Sequence, residues 1–161
     1  MMIKSMENTK DSMAKDHALK FLKSHTTMVL ASMSNNVEPA AATVYFVSDD
    51  NFNLFFLTSA KSKKADNLKT NGKVAFVIGW GPEIITIQGA GVAKDLPEKE
   101  AEIFFDLIKK NAFTSVNQWP ILKFADEGYC AFKITPSWIS YLNLNKELYP
   151  DIASNEFYKI I

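Results

Sequence analysis

The chain has 161 residues, 47% of them apolar, which is enough for one well-packed domain and too few for two ordinary ones. Its 18 basic residues balance 18 acidic ones, so no global field exists to hold a nucleic acid or an anionic membrane surface, and any binding charge has to be local. No arginine occurs anywhere, so lysine must do whatever phosphate or carboxylate recognition the chain performs.

Met1 to Lys10 is polar and mixed in charge, without the apolar stretch that a signal peptide or membrane span needs, and reads as a loose tail. From Asp11 to His25, Ala14, Ala18, Phe21 and Leu22 recur at helical spacing and predict an amphipathic helix. Thr26 to Met33 reads as a strand that stops at Asn35-Asn36, a pair that tolerates positive φ in a hairpin. A second strand follows over Pro39 to Val47, with Asp49-Asp50 in the turn Ser48 to Asn51, and a third over Phe52 to Thr58.

Ser62 to Thr70 fits a short helix closed by Asn71-Gly72 as a left-handed cap. A fourth strand, Lys73 to Trp80, turns at Gly81-Pro82 into a fifth, Ile84 to Ala93, in which Gly89-Ala90-Gly91 marks a bulge or a close approach rather than a phosphate loop. Pro97 opens a predicted second long helix with an apolar stripe of Ala101, Phe104, Phe105 and Ile108, Glu98 and Glu100 at its start and Lys109 and Lys110 at its end. A looser stretch, Phe113 to Asp126, leads to a sixth strand, Gly128 to Thr135, which Pro136 breaks before Trp138 to Leu142. From Asn143 onward the pattern assigns no element.

The fourth strand is apolar on both faces, with Val74, Phe76, Ile78 and Trp80 on one side and Ala75 and Val77 on the other. Such a sheet needs a second cover, and two or three helices are too few to supply all of it, so a homodimer is expected. Cys130 cannot form an internal disulfide and sits in an apolar run, which reads as a buried small hydrophobe in a protein of the reducing cytosol. His17 and His25 lie on or at the end of a surface helix without a nucleophile pattern beside them and read as solvated. No cluster has metal-ligand spacing.

The chemistry concentrates in Phe56 to Phe76. Lys61, Lys63 and Lys64 crowd the start of the short helix, where the macrodipole already disfavours cations. A bound anion would remove that conflict, held by first-turn N–H groups, the hydroxyls of Thr58, Ser59 and Ser62, and the ammonium groups. The competing interpretation is a solvated lysine cluster in which Ser59 or Ser62 serves only as the helix cap.

Thr58-Ser59-Ala60-Lys61-Ser62-Lys63-Lys64 resembles the flavin-phosphate motif of the pyridoxamine-phosphate-oxidase-like family, in which a strand-ending threonine is followed by Ser-Arg-Lys and a short helix. Asn67-Leu68, Asn71, Val74 to Ile78 and the order of elements from Ala14 to Leu142 are similar to the family's pattern as well. The resemblance implies a mainly β fold with flanking helices: a split β-barrel of six antiparallel strands with Greek-key-type order. It assigns that barrel to residues 11–142, between the tail 1–10 and an extension 143–161. It further implies flavin mononucleotide (FMN) as cofactor, its phosphate held by Ser62, Lys63 and Lys64 beside Thr58. Ala42, Thr43, Val44, Tyr45 and Leu57 would offer backbone groups to the ring. Lys63 departs from the family's usual arginine. Gln88 could reach the ring edge, although the family's glutamine lies nearer the position of Ile84, and Trp138 resembles an aromatic on the strand that family dimers send toward the partner's flavin.

Three functions are compatible with the sequence. The first is an FMN-dependent oxidoreductase acting on an unidentified small molecule, in which the flavin does the chemistry. The resemblance argues against pyridoxamine-phosphate oxidase activity itself, because Asn143 to Ile161 offers Lys146 and Lys159 but no histidine for a substrate phosphate. The second is a non-catalytic module carrying flavin or a haem-like ligand, and the third is a structural protein with an empty barrel. A deazaflavin would present a phosphate similar to that of FMN.

Overall fold

A computed structural model describes residues 2–97, 100, 102, 106–107 and 128–161, with side chains from residue 9 onward. The predicted stripe of Ala101, Phe104, Phe105 and Ile108, with Glu98, Lys109, Lys110 and the stretch Phe113 to Asp126, lies outside the described residues.

Helix α1 runs over Met2–Ser24 and buries Ala14, Ala18, Phe21 and Leu22. It begins well before Asp11 and takes in the segment expected as a tail, since no glycine or proline interrupts Met2 to Ser24. The Ser24 hydroxyl donates to the Phe21 carbonyl at 2.8 Å, which helps to satisfy the last turn.

Strands β1 (Thr27–Met33), β2 (Pro39–Ser48) and β3 (Leu54–Ser59) form an antiparallel meander. Its two hairpins share one geometry. Ser34 N–H donates to the Glu38 carbonyl and Val37 N–H to that of Ser34, and Asp49, Asn53 and Phe52 repeat the pattern. The left-handed residues are Val37 (φ 63°) and Phe52 (φ 64°), not the asparagines expected to take that role. Asp49 explains why its loop tolerates this: its Oδ1 accepts from the backbones of Asn51 and Asn53.

Helix α2 (Lys63–Thr70) leads into β4 (Lys73–Gly79) and packs against β1 and β3 of the meander and against β5 (Ile85–Asp95). It does not end in a left-handed cap, because Asn71 is extended (φ −138°). Gly72 is there for space: a Cβ on it would sit 2.4 Å from the Ala93 carbonyl oxygen. The segment Gly128 to Leu142 is not two strands but one, β6 (Tyr129–Asn143). Pro136 is accommodated by a bulge where the pairing steps from Ala90↔Trp138 to Gly91↔Pro136. The short β7 (Tyr158–Lys159) pairs with β6 at Tyr141 and Ser140.

The sheet order is β3-β2-β1-β4-β5-β6-β7, and an added β3–β6 pairing closes the first six strands into an antiparallel barrel. The long β6 makes this possible, since its first half bridges β5 to β3 while its second half lies between β5 and β7. Phe46, Phe56, Phe76 and Phe132 fill the interior, each stabilising the fold by roughly 1.5–3 kcal/mol. The C-terminal segment joins this core through Ile160.

On β4, Val74, Phe76 and Ile78 are buried as expected, but Trp80 is half exposed, because positive φ at Gly79 (83°) and Trp80 (82°) turns the chain out of the strand. Outward-facing Val29, Val77, Val92 and Trp138 are 42–47% exposed, so one apolar face of the barrel is uncovered in the single chain. No helix among the described residues is long and apolar enough to cross a membrane.

Candidate functional site

β3 delivers Thr58 and Ser59 to the start of α2. Ser62 takes the extended conformation of a helix cap (φ −79°, ψ 144°), and its Oγ accepts from Ala65 N–H at 3.1 Å. Its hydroxyl also lies 3.1 Å from that of the buried Thr58, which ties the strand end to the helix start. The Ser59 hydroxyl accepts from Lys61 N–H at 3.3 Å. The N–H groups of Lys63 and Lys64 have no acceptor among the described residues.

The lysines are equally unmet. Among the described residues the ion pair found is Lys23 with Asp50, far from this turn, so Lys61, Lys63 and Lys64 face no carboxylate partner. Lys64 is partly buried, and that desolvation pulls its ammonium group below its ordinary pKa. Both Lys63 and Lys64 line a cavity of about 220 Å³ with Asn67 from their own helix, Leu30 and Ser32 from β1, and Ala40, Ala41 and Ala42 from β2. Cationic groups, free N–H groups and a concave space thus converge, an arrangement suited to a phosphate.

The other expected site residues divide between the faces of the sheet. Ala42 and Val44 point inward, and Thr43 and Tyr45 point outward. Leu57 and Thr58 are buried opposite Ala131 and Cys130 on β6. Thr43 shares an outward row with Val29, Val77 and Gln88, and Trp138 shares the next row with Ala41, Ala31, Ala75 and Ala90. Gln88 and Trp138 are therefore several strands from Lys63 and Lys64 and do not join the cavity within one chain. A larger cavity of about 340 Å³ opens at the end of this outward face, lined by His25, Thr27, Thr43, Val77, Trp80 and Glu83 among others. Its greater size does not make it the better phosphate site, because its one acidic residue, Glu83, would repel the anion that the lysines attract.

Two features escaped the sequence reading. Ser32 lies in the cavity wall, and its signal was a serine at the inward position after Met28 and Leu30 in an alternating strand. His17 is partly buried and bonded rather than free in solvent: its Nδ1 contacts the hydroxyl of fully buried Tyr141, and its ring stands edge-on to Tyr149 at 4.3 Å. Burial first and Lys20 second lower the pKa of His17, and Glu83 opposes them. The covering residue Tyr149 belongs to the segment no pattern could place. His25 Nδ1 lies 2.8 Å from the Phe21 carbonyl oxygen. No group of three or more potential metal ligands occurs among the described residues.

A family model described as pyridoxamine 5'-phosphate oxidase matches residues 14–143. A pyridoxine/pyridoxamine 5'-phosphate oxidase of Pseudoalteromonas translucida (strain TAC 125) is 31% identical over 80 residues, covering 50% of this chain and only 38% of that protein. Among solved structures, a heme-binding protein from Mycobacterium smegmatis superposes with a TM-score of 0.68 at 13% identity, over 91% of this chain and 57% of that one. The heme storage protein of Vibrio cholerae gives 0.59 at 17% identity, over 76% and 89%. At such identities these two structures speak to the fold alone.

Proposed function

The chain belongs to the pyridoxamine 5'-phosphate oxidase family, and from that premise we propose that it binds FMN, with the phosphate on Ser62, Lys63, Lys64 and the first turn of α2 and Thr58 beside them. The observation that carries this reading is that N–H groups and lysines without a partner among the described residues meet a cavity at the same place. A phosphate there meets the helix dipole and two cations at once.

The cavity is smaller than the roughly 300–1,000 Å³ of sites that enclose a ligand of this size. The ring therefore extends beyond it, along the backbone of Ala42 to Tyr45 and Leu57. The uncovered apolar face gives the rest of the reading: two chains associate through it as a homodimer, and Gln88 and Trp138 of one copy approach the ring held by the other. Bound FMN supplies hydride or electron transfer, while this chain's residues position the cofactor and exclude water. The protein is thus read as a cytoplasmic FMN-dependent oxidoreductase of a small molecule. Pyridoxamine-phosphate oxidation fits less well, because the lysines of the C-terminal segment, Lys146 and Lys159, are solvent-exposed and no histidine accompanies them.

A second reading, a haem-binding module, draws support from His25, which lines the larger cavity. One experiment decides between them. The purified protein, incubated separately with FMN and with haemin and passed through gel filtration with light scattering, should elute as a dimer that keeps the flavin absorbance. Retained haem without retained flavin would select the module, and retention of neither would overturn both readings.

A further inference from the structure

A cavity of about 320 Å³ opens between α1 and the C-terminal segment. Met13, Asp16, His17 and Lys20 line it from α1, at the i, i+3, i+4 and i+7 spacing that puts them on one face of the helix. Leu148, Pro150 and Asp151 line it from the C-terminal segment. The family match ends at residue 143, so this second wall is built from chain that the family pattern does not include.

Three charged side chains thus border one small space, and Asp16, Lys20 and Asp151 have no ion-pair partner among the described residues. Asp16 and Lys20 stand four residues apart with the acid first, the order that favours an ion pair along a helix, yet they form none. His17 adds a donor held in place. Its Nδ1 meets the Tyr141 hydroxyl, which already accepts from the Asn143 amide. The hydroxyl proton is therefore directed to Nδ1, and the proton of the neutral ring sits on Nε2. Nε2 has no partner among the described residues, and the ring lines the cavity.

A ligand with negative charge alone would meet Asp16 and Asp151, and one with positive charge alone would meet Lys20. A zwitterion offers each its opposite. Met13 and Leu148 expose apolar surface at the same opening, and the volume lies at the lower end of the roughly 300–1,000 Å³ of small-molecule sites. We propose that this cavity binds a free α-amino acid with an apolar side chain: its carboxylate meets Lys20 and His17, its ammonium group Asp16 and Asp151, and its side chain Met13, Leu148 and Pro150. None of these residues lines the cavity at the start of α2, so the site stands or falls independently of the flavin reading.

The test is an amide NMR titration of the full-length protein at neutral pH with three probes of one skeleton. L-leucine carries both charges, 3-methylbutylamine lacks the carboxylate, and 4-methylpentanoate lacks the ammonium group. Leucine should bind at least about tenfold more tightly than either analogue, the low end for hydrogen bonds to charged groups, as suits exposed side chains. Its shifts should centre on α1 and residues 148–152. Lys20→Met should bring leucine level with the amine, and Asp16→Asn with Asp151→Asn should bring it level with the carboxylate. All three positions are exposed, so the variants should keep the parent's thermal midpoint. Should the double variant not fold, Asp151→Asn alone should narrow the gap to the carboxylate. Equal affinities for the three probes, no binding by any of them, shifts centred elsewhere, or a preference for leucine that survives the substitutions would overturn the site.

Discussion

Two polar regions of this barrel are built from similar parts and end in opposite states. At the C-terminal side, Asn143 donates to the Tyr141 hydroxyl at 3.0 Å, that hydroxyl meets His17, and the Asn143 oxygen accepts from Asn145 N–H at 2.9 Å. Every member has a partner, so the network ties α1, β6 and the last segment together. At the start of α2, by contrast, two lysines and two backbone N–H groups have no partner among the described residues, and the lysines line a cavity. Desolvated groups without partners cost stability, and a fold keeps them where something outside it meets them. On the function proposed above, the closed region serves stability and the open one binding.

The sharpest way to break this contrast is to neutralise the open side. Lys63→Met with Lys64→Met removes two charged donors, each contributing roughly 1.5–3 kcal/mol, so FMN affinity should fall by about 100-fold or more. Excess FMN should restore binding, and the thermal midpoint should hardly move. Fluorescence titration against FMN and riboflavin checks it: the parent should prefer FMN, and the variant should bind the two alike. Because burial already lowers the Lys64 pKa, the parent's preference should also fade as the pH rises through that lowered value, where the ammonium loses its proton. A preference that survives both treatments would place the phosphate elsewhere.

Opening the closed side should do the reverse. Tyr141→Phe removes the hydroxyl between Asn143 and His17 and leaves buried partners unmet, a loss of about 1–3 kcal/mol. In a chain of this size the thermal midpoint falls by about 2–4 °C per kcal/mol. FMN affinity should stay within about twofold, since Tyr141 lies on the half of β6 beyond the β3 pairing. Thermal denaturation and the same titration measure both, and a large affinity loss without a stability loss would exchange the roles of the two regions.

How much of this contrast the sequence disclosed follows from where the signals are local. The two faces of β4 and the lysines at the start of α2 are written within a few residues and were legible, while the cap was narrowed to Ser59 or Ser62, of which the structure takes Ser62. The hairpins were legible as turns, but the left-handed positions fell on Val37 and Phe52, because hydrogen bonds from Ser34 and Asp49 outweigh the preference of the neighbouring asparagines. Pro136 looked like a strand end because the bulge that admits it depends on Gly91 of another strand. His17 looked solvated because Tyr141 and Tyr149, its partners, are more than a hundred residues away in sequence. Non-local pairings are what a pattern within one chain window does not carry.

The smallest expected effect concerns pH, and it tests whether the closed network depends on a neutral imidazole. Asn143 donates to the Tyr141 oxygen, so the hydroxyl proton is directed toward His17 Nδ1, which accepts it only when that nitrogen carries no proton. Burial and Lys20 lower the folded-state pKa of His17 below its ordinary value of 6.5. Between the two values the unfolded chain holds more protons than the folded one, so stability rises with pH across that window. It is fully present above the unfolded value and lost as the pH falls toward the folded one. The parent's thermal midpoint should therefore stay level above neutrality and decline below it, while His17→Gln should start lower and show a shallower decline. Glu83 raises the folded-state His17 value, so Glu83→Gln should carry the decline on to lower pH and deepen it, and Lys20→Met should end it at higher pH and make it smaller, with the onset unchanged. Flavin binding should ignore all three substitutions at neutral pH. A parent whose midpoint rises on acidification would mean that the imidazole is charged in the fold, and that the hydroxyl of Tyr141 accepts from it.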